Sequence, residues 1–85
     1  MNIKTTQPII DGTEAVLLIR HNTDDGYLEM SGATPLTIDN AVITDSAQII
    51  ARDPFMMGID TLPEGWMASR KTKNDPWRLE PAPSS

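Results

Sequence analysis

The chain has 85 residues, 39% of them hydrophobic and 22% charged, with a net charge of −5; this allows one small core and argues against wholesale disorder despite seven prolines. The absence of cysteine excludes a disulfide framework, a thiol nucleophile and zinc sites built on thiolates. Residues 1 to 69 carry three basic residues (Lys4, Arg20, Arg52) against ten acidic ones, and residues 70 to 85 carry four basic (Arg70, Lys71, Lys73, Arg78) against two, so the body repels nucleic-acid phosphates and anionic lipid and favours a cationic partner.

The opening residues MNIKTTQPII hold no apolar run of signal-peptide length, and the longest apolar run, Ala15 to Ile19, is too short to cross a bilayer. A cytoplasmic protein is expected. Ile9-Ile10 reads as a short edge strand, with Pro8 tolerated at its start. After the Asp11-Gly12 turn, Glu14 to His21 (EAVLLIRH) reads as a central strand. The cluster Asn22 to Gly26 then turns the chain into a second strand, Tyr27 to Ser31, which makes a β-hairpin.

Gly32 to Asn40 reads as a loop, with a short strand around Ala41 to Ile43. Asp45 is placed to cap a helix of about two turns, with Gln48 three residues on in capping-box position and Ala47, Ile49, Ile50 and Ala51 as its body. Asp53-Pro54 stops that helix and starts a second helical turn, from which Phe55, Met56 and Met57 are expected to pack onto the sheet. After Pro63-Glu64-Gly65, the segments Trp66 to Arg70 and Pro76 to Glu80 read as a second hairpin joined by the polar KTKND turn. Trp66 and Met67 then face opposite ways. Residues 1–80 are read as one domain and 81–85 as a solvated tail. The order of elements implies an α+β fold: a small antiparallel sheet of four to five strands with one or two short helices on one face.

Catalytic and metal signatures are missing. His21, the sole histidine, has no serine in a nucleophile context near it and reads as a surface residue at the hairpin mouth. Asp24-Asp25-Gly26 lacks calcium-loop spacing, no phosphate-binding loop occurs, and the basic residues between 70 and 78 read as solvated hairpin charges. The reading is therefore a non-enzyme without metal or cofactor. Its candidate contact surface combines the acidic residues Asp24, Asp25, Glu29, Asp39 and Glu64 with the aromatic residues Tyr27, Trp66 and Trp77. Packing competes for the tryptophans, since a chain with four aromatics needs bulk in its core, and Trp66 is assigned to packing before anchoring.

Over residues 10 to 70 the pattern resembles a family of small bacterial immunity proteins found beside polymorphic and contact-dependent toxins. The matching features are a strand ending in Arg20, an acidic turn, Gly26-Tyr27 leading to Ser31-Gly32, the Asp45-led helix, the Asp53-Pro54 break and Pro63-Glu64-Gly65. The family more usually has a tryptophan where this chain has Tyr27. The resemblance implies a compact α+β domain that binds a protein partner, a toxin with a basic surface, and offers no catalytic residues. Two other readings stay open: a phage or mobile-element accessory protein that mimics nucleic acid, and a small structural or regulatory subunit that forms a homo-oligomer.

Overall fold

A computed structural model describes residues 1–83. Six strands, Asn2–Thr5 (β1), Leu18–His21 (β2), Leu28–Ser31 (β3), Val42–Asp45 (β4), Trp66–Ser69 (β5) and Arg78–Pro81 (β6), form one sheet in the order β4-β1-β3-β2-β5-β6. Two short helices, Gln7–Asp11 (α1) and Ala47–Ala51 (α2), and the 3-10 turns Pro54–Met56 and Ile59–Thr61 complete the α+β domain. The sheet is mixed: β1 runs parallel to β3, while every other neighbouring pair is antiparallel. Both expected hairpins form, with β2 to β3 and β5 to β6 in register Arg20 to Glu29 and Met67 to Glu80.

Alternation along the strands divides the sheet into a covered and an open face. Ile3, Ile19, Leu28, Met30 and Ala68 point into the core and are at most 0% exposed. Ile9 of α1, Ile49 of α2, and Val16, Met56, Ile59 and Leu62 from the connecting segments close over them. On the open face, registered neighbours form a row across the sheet: Ile43, Lys4, Glu29, Arg20, Met67 and Glu80. Leu36, from the β3–β4 connection, lies over this face beside Glu29.

The sheet has six strands and one parallel pair where four to five antiparallel strands are expected, and two further expectations need correction. Ile9-Ile10 belongs to α1 and not to an edge strand. Proline suits a helix start as well as an edge, and here Gly12 closes the helix at φ 81° while Arg52 Nη1 donates to the carbonyl of Ile10 at 2.5 Å. The real first strand is β1, in which only Ile3 and Thr5 point inward, too little apolar alternation to stand out in the sequence. Of the three residues expected to pack after Pro54, only Met56 is buried; Phe55 is 54% and Met57 83% exposed.

The capping chemistry follows the sequence more closely. Asp45 Oδ1 accepts from the Ala47 amide at 2.8 Å, although α2 is a five-residue helix and Gln48 turns back to Thr44 Oγ1 instead of completing a capping box. Asp53 Oδ1 accepts from the Phe55 amide at 3.0 Å and starts the 3-10 turn. At the far end Pro81 still belongs to β6 and the Ala82 amide donates to the Gly65 carbonyl at 2.8 Å, so the first part of the expected tail is paired; residues 84–85 lie outside the described residues.

Candidate functional site

Strand register carries five of the eight candidate contact residues to one end of the sheet. His21 at the end of β2 lies opposite Leu28 at the start of β3, and the Gly65 amide donates to the His21 carbonyl at 2.8 Å just before β5 begins. The β2–β3 turn with Asp24, Asp25 and Tyr27 is therefore beside Glu64 and Trp66. Contact is close: a Cβ built on Gly26 would lie 3.5 Å from Glu64 Oε1.

Within the turn Asp25 does two things. Its Oδ1 accepts from the Tyr27 amide at 2.9 Å, the self-bonding that suits aspartate to turns. Its Oδ2 accepts from Lys4 Nζ at 2.7 Å, and the same ammonium stands 4.8 Å from the centre of the Tyr27 ring. The Lys4 hydrogen bond, then the Tyr27 amide, hold the Asp25 carboxyl below its usual range, while Asp25 holds the Lys4 ammonium above its own. A depressed carboxyl contributes stability above its unfolded value of 3.8 and loses it as pH falls through the folded one; a raised ammonium contributes in full below 10.5. The stability deficit of Asp25→Asn relative to the native chain, followed by urea unfolding at a series of pH values, is expected to be constant near neutrality and to shrink below pH 3.8.

His21 locks this end from beneath. Its Nδ1 lies 2.6 Å from the Leu62 carbonyl oxygen and its Nε2 3.1 Å from that of Gly26, so the ring sits wedged between the segment before β5 and the β2–β3 turn. The expectation of a surface histidine is thereby corrected: both ring nitrogens face backbone oxygens, and neither faces a hydroxyl that it would need to activate as a base.

Gly65 sets the direction in which Glu64 and Trp66 leave the turn. It has φ 83°, in the left-handed region, and a Cβ there meets no atom nearer than 3.6 Å. Conformation and not crowding requires glycine. Gly65→Val is expected to cost about 1–2 kcal/mol in urea unfolding, more than Gly65→Asn, since a β-branched residue is poorly suited to that region and asparagine tolerates it.

The remaining candidates are held differently. Glu29 lies on the open face and accepts from Asn22 Nδ2 at 2.6 Å. Asp39 is exposed in the β3–β4 connection, away from the turn. Trp77 stands at the opposite end of β5 and β6: the register Ser69 to Arg78 places it across from Arg70, so it does not meet Trp66. Its ring lies 4.2 Å from the Arg70 guanidinium carbon and its Nε1 donates to the Phe55 carbonyl at 2.8 Å. Arg70 itself is buried, a correction to the reading of solvated hairpin charges. Trp66, assigned to packing from sequence, is instead 38% exposed and outside the core, against which Trp77 packs, and it shares its end of the sheet with the carboxylates.

Sequence reasoning missed Lys4 and Asp45 at this end. Asp45 was read only as a helix cap, yet its place opposite Asn2 puts a further carboxylate at the same end of the sheet. Lys4 carries no local signal, because its partner is 21 residues away.

The fold is a small α+β domain, one end of whose sheet gathers acidic and aromatic side chains. No family model matches the sequence, and no curated protein or solved structure is significantly similar to it.

Proposed function

We propose that the chain is a non-enzymatic binding protein that neutralises a cognate toxin in the cytoplasm by occluding its active site, with the acidic end as its contact surface. The observation carrying this reading is the convergence of Asp24, Asp25, Tyr27, Glu64 and Trp66 on one end of the sheet. Carboxylates there steer a basic surface into encounter, and the partly exposed Tyr27 and Trp66 rings supply rigid contact area once it arrives. The acids gather at an end instead of running in a row, which favours occlusion over mimicry of a phosphate backbone.

The test is a pull-down of the tagged protein from cells expressing its genomic neighbourhood, followed by kinetics on the partner recovered. A single stoichiometric partner is expected, lost at high salt. With Asp24→Ala and Glu64→Ala combined, association should slow at least about threefold at low salt. Asp25 and Glu29 are left intact because Asp25 is tied to Lys4 and the Tyr27 amide and Glu29 to Asn22. A folded double variant with unchanged association rate and salt slope, or a native protein that elutes without a partner, would sink the reading.

A further inference from the structure

The two edges of the sheet are not equivalent, and the difference follows from hydrogen-bond alternation. In an antiparallel pair, successive residues point their N–H and C=O groups alternately toward the partner strand and away from it. At β6, the bond from the Ala82 amide to the Gly65 carbonyl marks residue 82 as facing β5. Residues 80 and 78 do likewise, which leaves Leu79 and Pro81 facing outward. Proline has no N–H, and Pro83 repeats the block two residues on. This edge offers an incoming strand one donor at Leu79 and then none.

At β4 the corresponding marker is the bond from the Ser46 amide to the Met1 carbonyl at 2.8 Å. Residues 46, 44 and 42 therefore face β1, and Asp45, Ile43 and Ala41 turn both backbone groups outward. No proline interrupts them. Ile43 is 55% exposed, and Ile38, three residues before Ala41 in the β3–β4 connection, is 97% exposed. One edge is closed to strand addition, and the other is open and flanked by apolar side chains.

We infer that β4 pairs with β4 of a second copy of this chain, antiparallel, about a twofold axis through Ile43. In that register Ile43 faces Ile43 of the partner subunit, and Ala41 faces Asp45 of the partner subunit. Every outward donor in the segment meets an outward acceptor, about six hydrogen bonds in all. The two isoleucines form a β-branched pair on the open face. The two Asp45 carboxylates end about 14 Å apart, four residue rises along the strand and beyond the roughly 8 Å screening length of physiological salt. For a chain of net charge −5, this register sets acid opposite alanine and keeps the two carboxylates apart.

The blocked β6 edge determines what the assembly is. Pairing of β4 with β6 of the next copy would extend without limit, whereas β4 with itself closes after two. The result is a dimer with a continuous sheet; Asp24, Asp25, Glu64 and both tryptophans stand away from the seam, and of the acidic end only Asp45 lies in it. A strand of four residues buries less than a standard interface, so the dimer is weak, with a dissociation constant of about 0.1–1 mM.

Sedimentation velocity of the full chain between about 10 μM and 1 mM tests this. The native chain is expected to move from monomer to dimer across that range, and Leu79→Pro to do the same. Ile43→Pro removes an outward N–H that β1 does not use and should stay monomeric while keeping its circular dichroism. Should that variant fail to fold, Ile43→Lys sets two ammonium groups face to face and should weaken the dimer at least about tenfold. A native chain that remains monomeric at 1 mM, a dimer indifferent to both Ile43 changes, or growth beyond two copies overturns the proposal. None of these variants changes Asp24, Asp25, Tyr27, Glu64 or Trp66, whose test uses a different partner.

Discussion

Arg70→Met is expected to cost about 3–5 kcal/mol of folding stability, a large share of the margin of a domain of this size. The arginine side chain is 0% exposed. Its Nε donates to the Val16 carbonyl at 2.9 Å, Nη1 to the Lys73 carbonyl at 3.1 Å and Nη2 to Asp53 Oδ2 at 2.7 Å, and its flat face lies on Trp77. One guanidinium thus joins the segment before β2, the β5–β6 turn and the start of the 3-10 turn. Methionine would fill much of the volume but leave a nearly buried carboxylate without its counter-ion and two carbonyls without donors.

Two companion variants separate charge from shape. Arg70→Lys keeps the charge but has no planar fork to reach three acceptors or to lie on the indole, so it should still lose most of the stability. Adding Asp53→Leu to Arg70→Met removes the orphaned charge and should restore part of the loss. Restoration stays incomplete because Asp53 also caps the Phe55 amide. Urea unfolding of the four proteins checks the series; a loss under about 1 kcal/mol for Arg70→Met would mean that the cluster does not hold these segments together.

The second large effect is expected at Met56. Met56→Ala should cost about 2–5 kcal/mol, because the side chain is 0% exposed within the core and the 3-10 turn cannot collapse fully into the space left behind. Phe55→Ala and Met57→Ala, one residue to either side, should each change stability by less than about 1 kcal/mol, since both side chains stand mostly in solvent. Thermal or urea unfolding of the three variants distinguishes this arrangement from one in which all three residues pack, for which the losses would be comparable.

How much of this was legible in the sequence depends on the range of the contacts involved. The caps at Asp45 and Asp53, the glycine turn at residue 65 and the two hairpins were readable, because each rests on bonds between residues a few positions apart. The α+β class followed from their order. By contrast β1 was not readable: its four residues acquire strand identity from neighbours at β3 and β4, 25 and 40 or so positions away. The candidate site divides in the same way. Acidic and aromatic residue types were visible, but which of them meet was set by register, which gathered Asp24, Asp25, Tyr27, Glu64 and Trp66 and carried Trp77 to the other end.

By itself, then, the sequence determined the local punctuation of this protein: where the chain turns, where short helices start, and that its surface is acidic and free of thiol chemistry. The tertiary structure alone decided that Ile9 faces a core from a helix, that Arg70 is buried and His21 set between two backbone oxygens, and that one sheet edge is closed while the other is open. The physical reason is range. Caps and turns are satisfied within a few bonds of the residue that makes them, whereas burial, ion pairing and strand exposure depend on partners that only folding brings into contact.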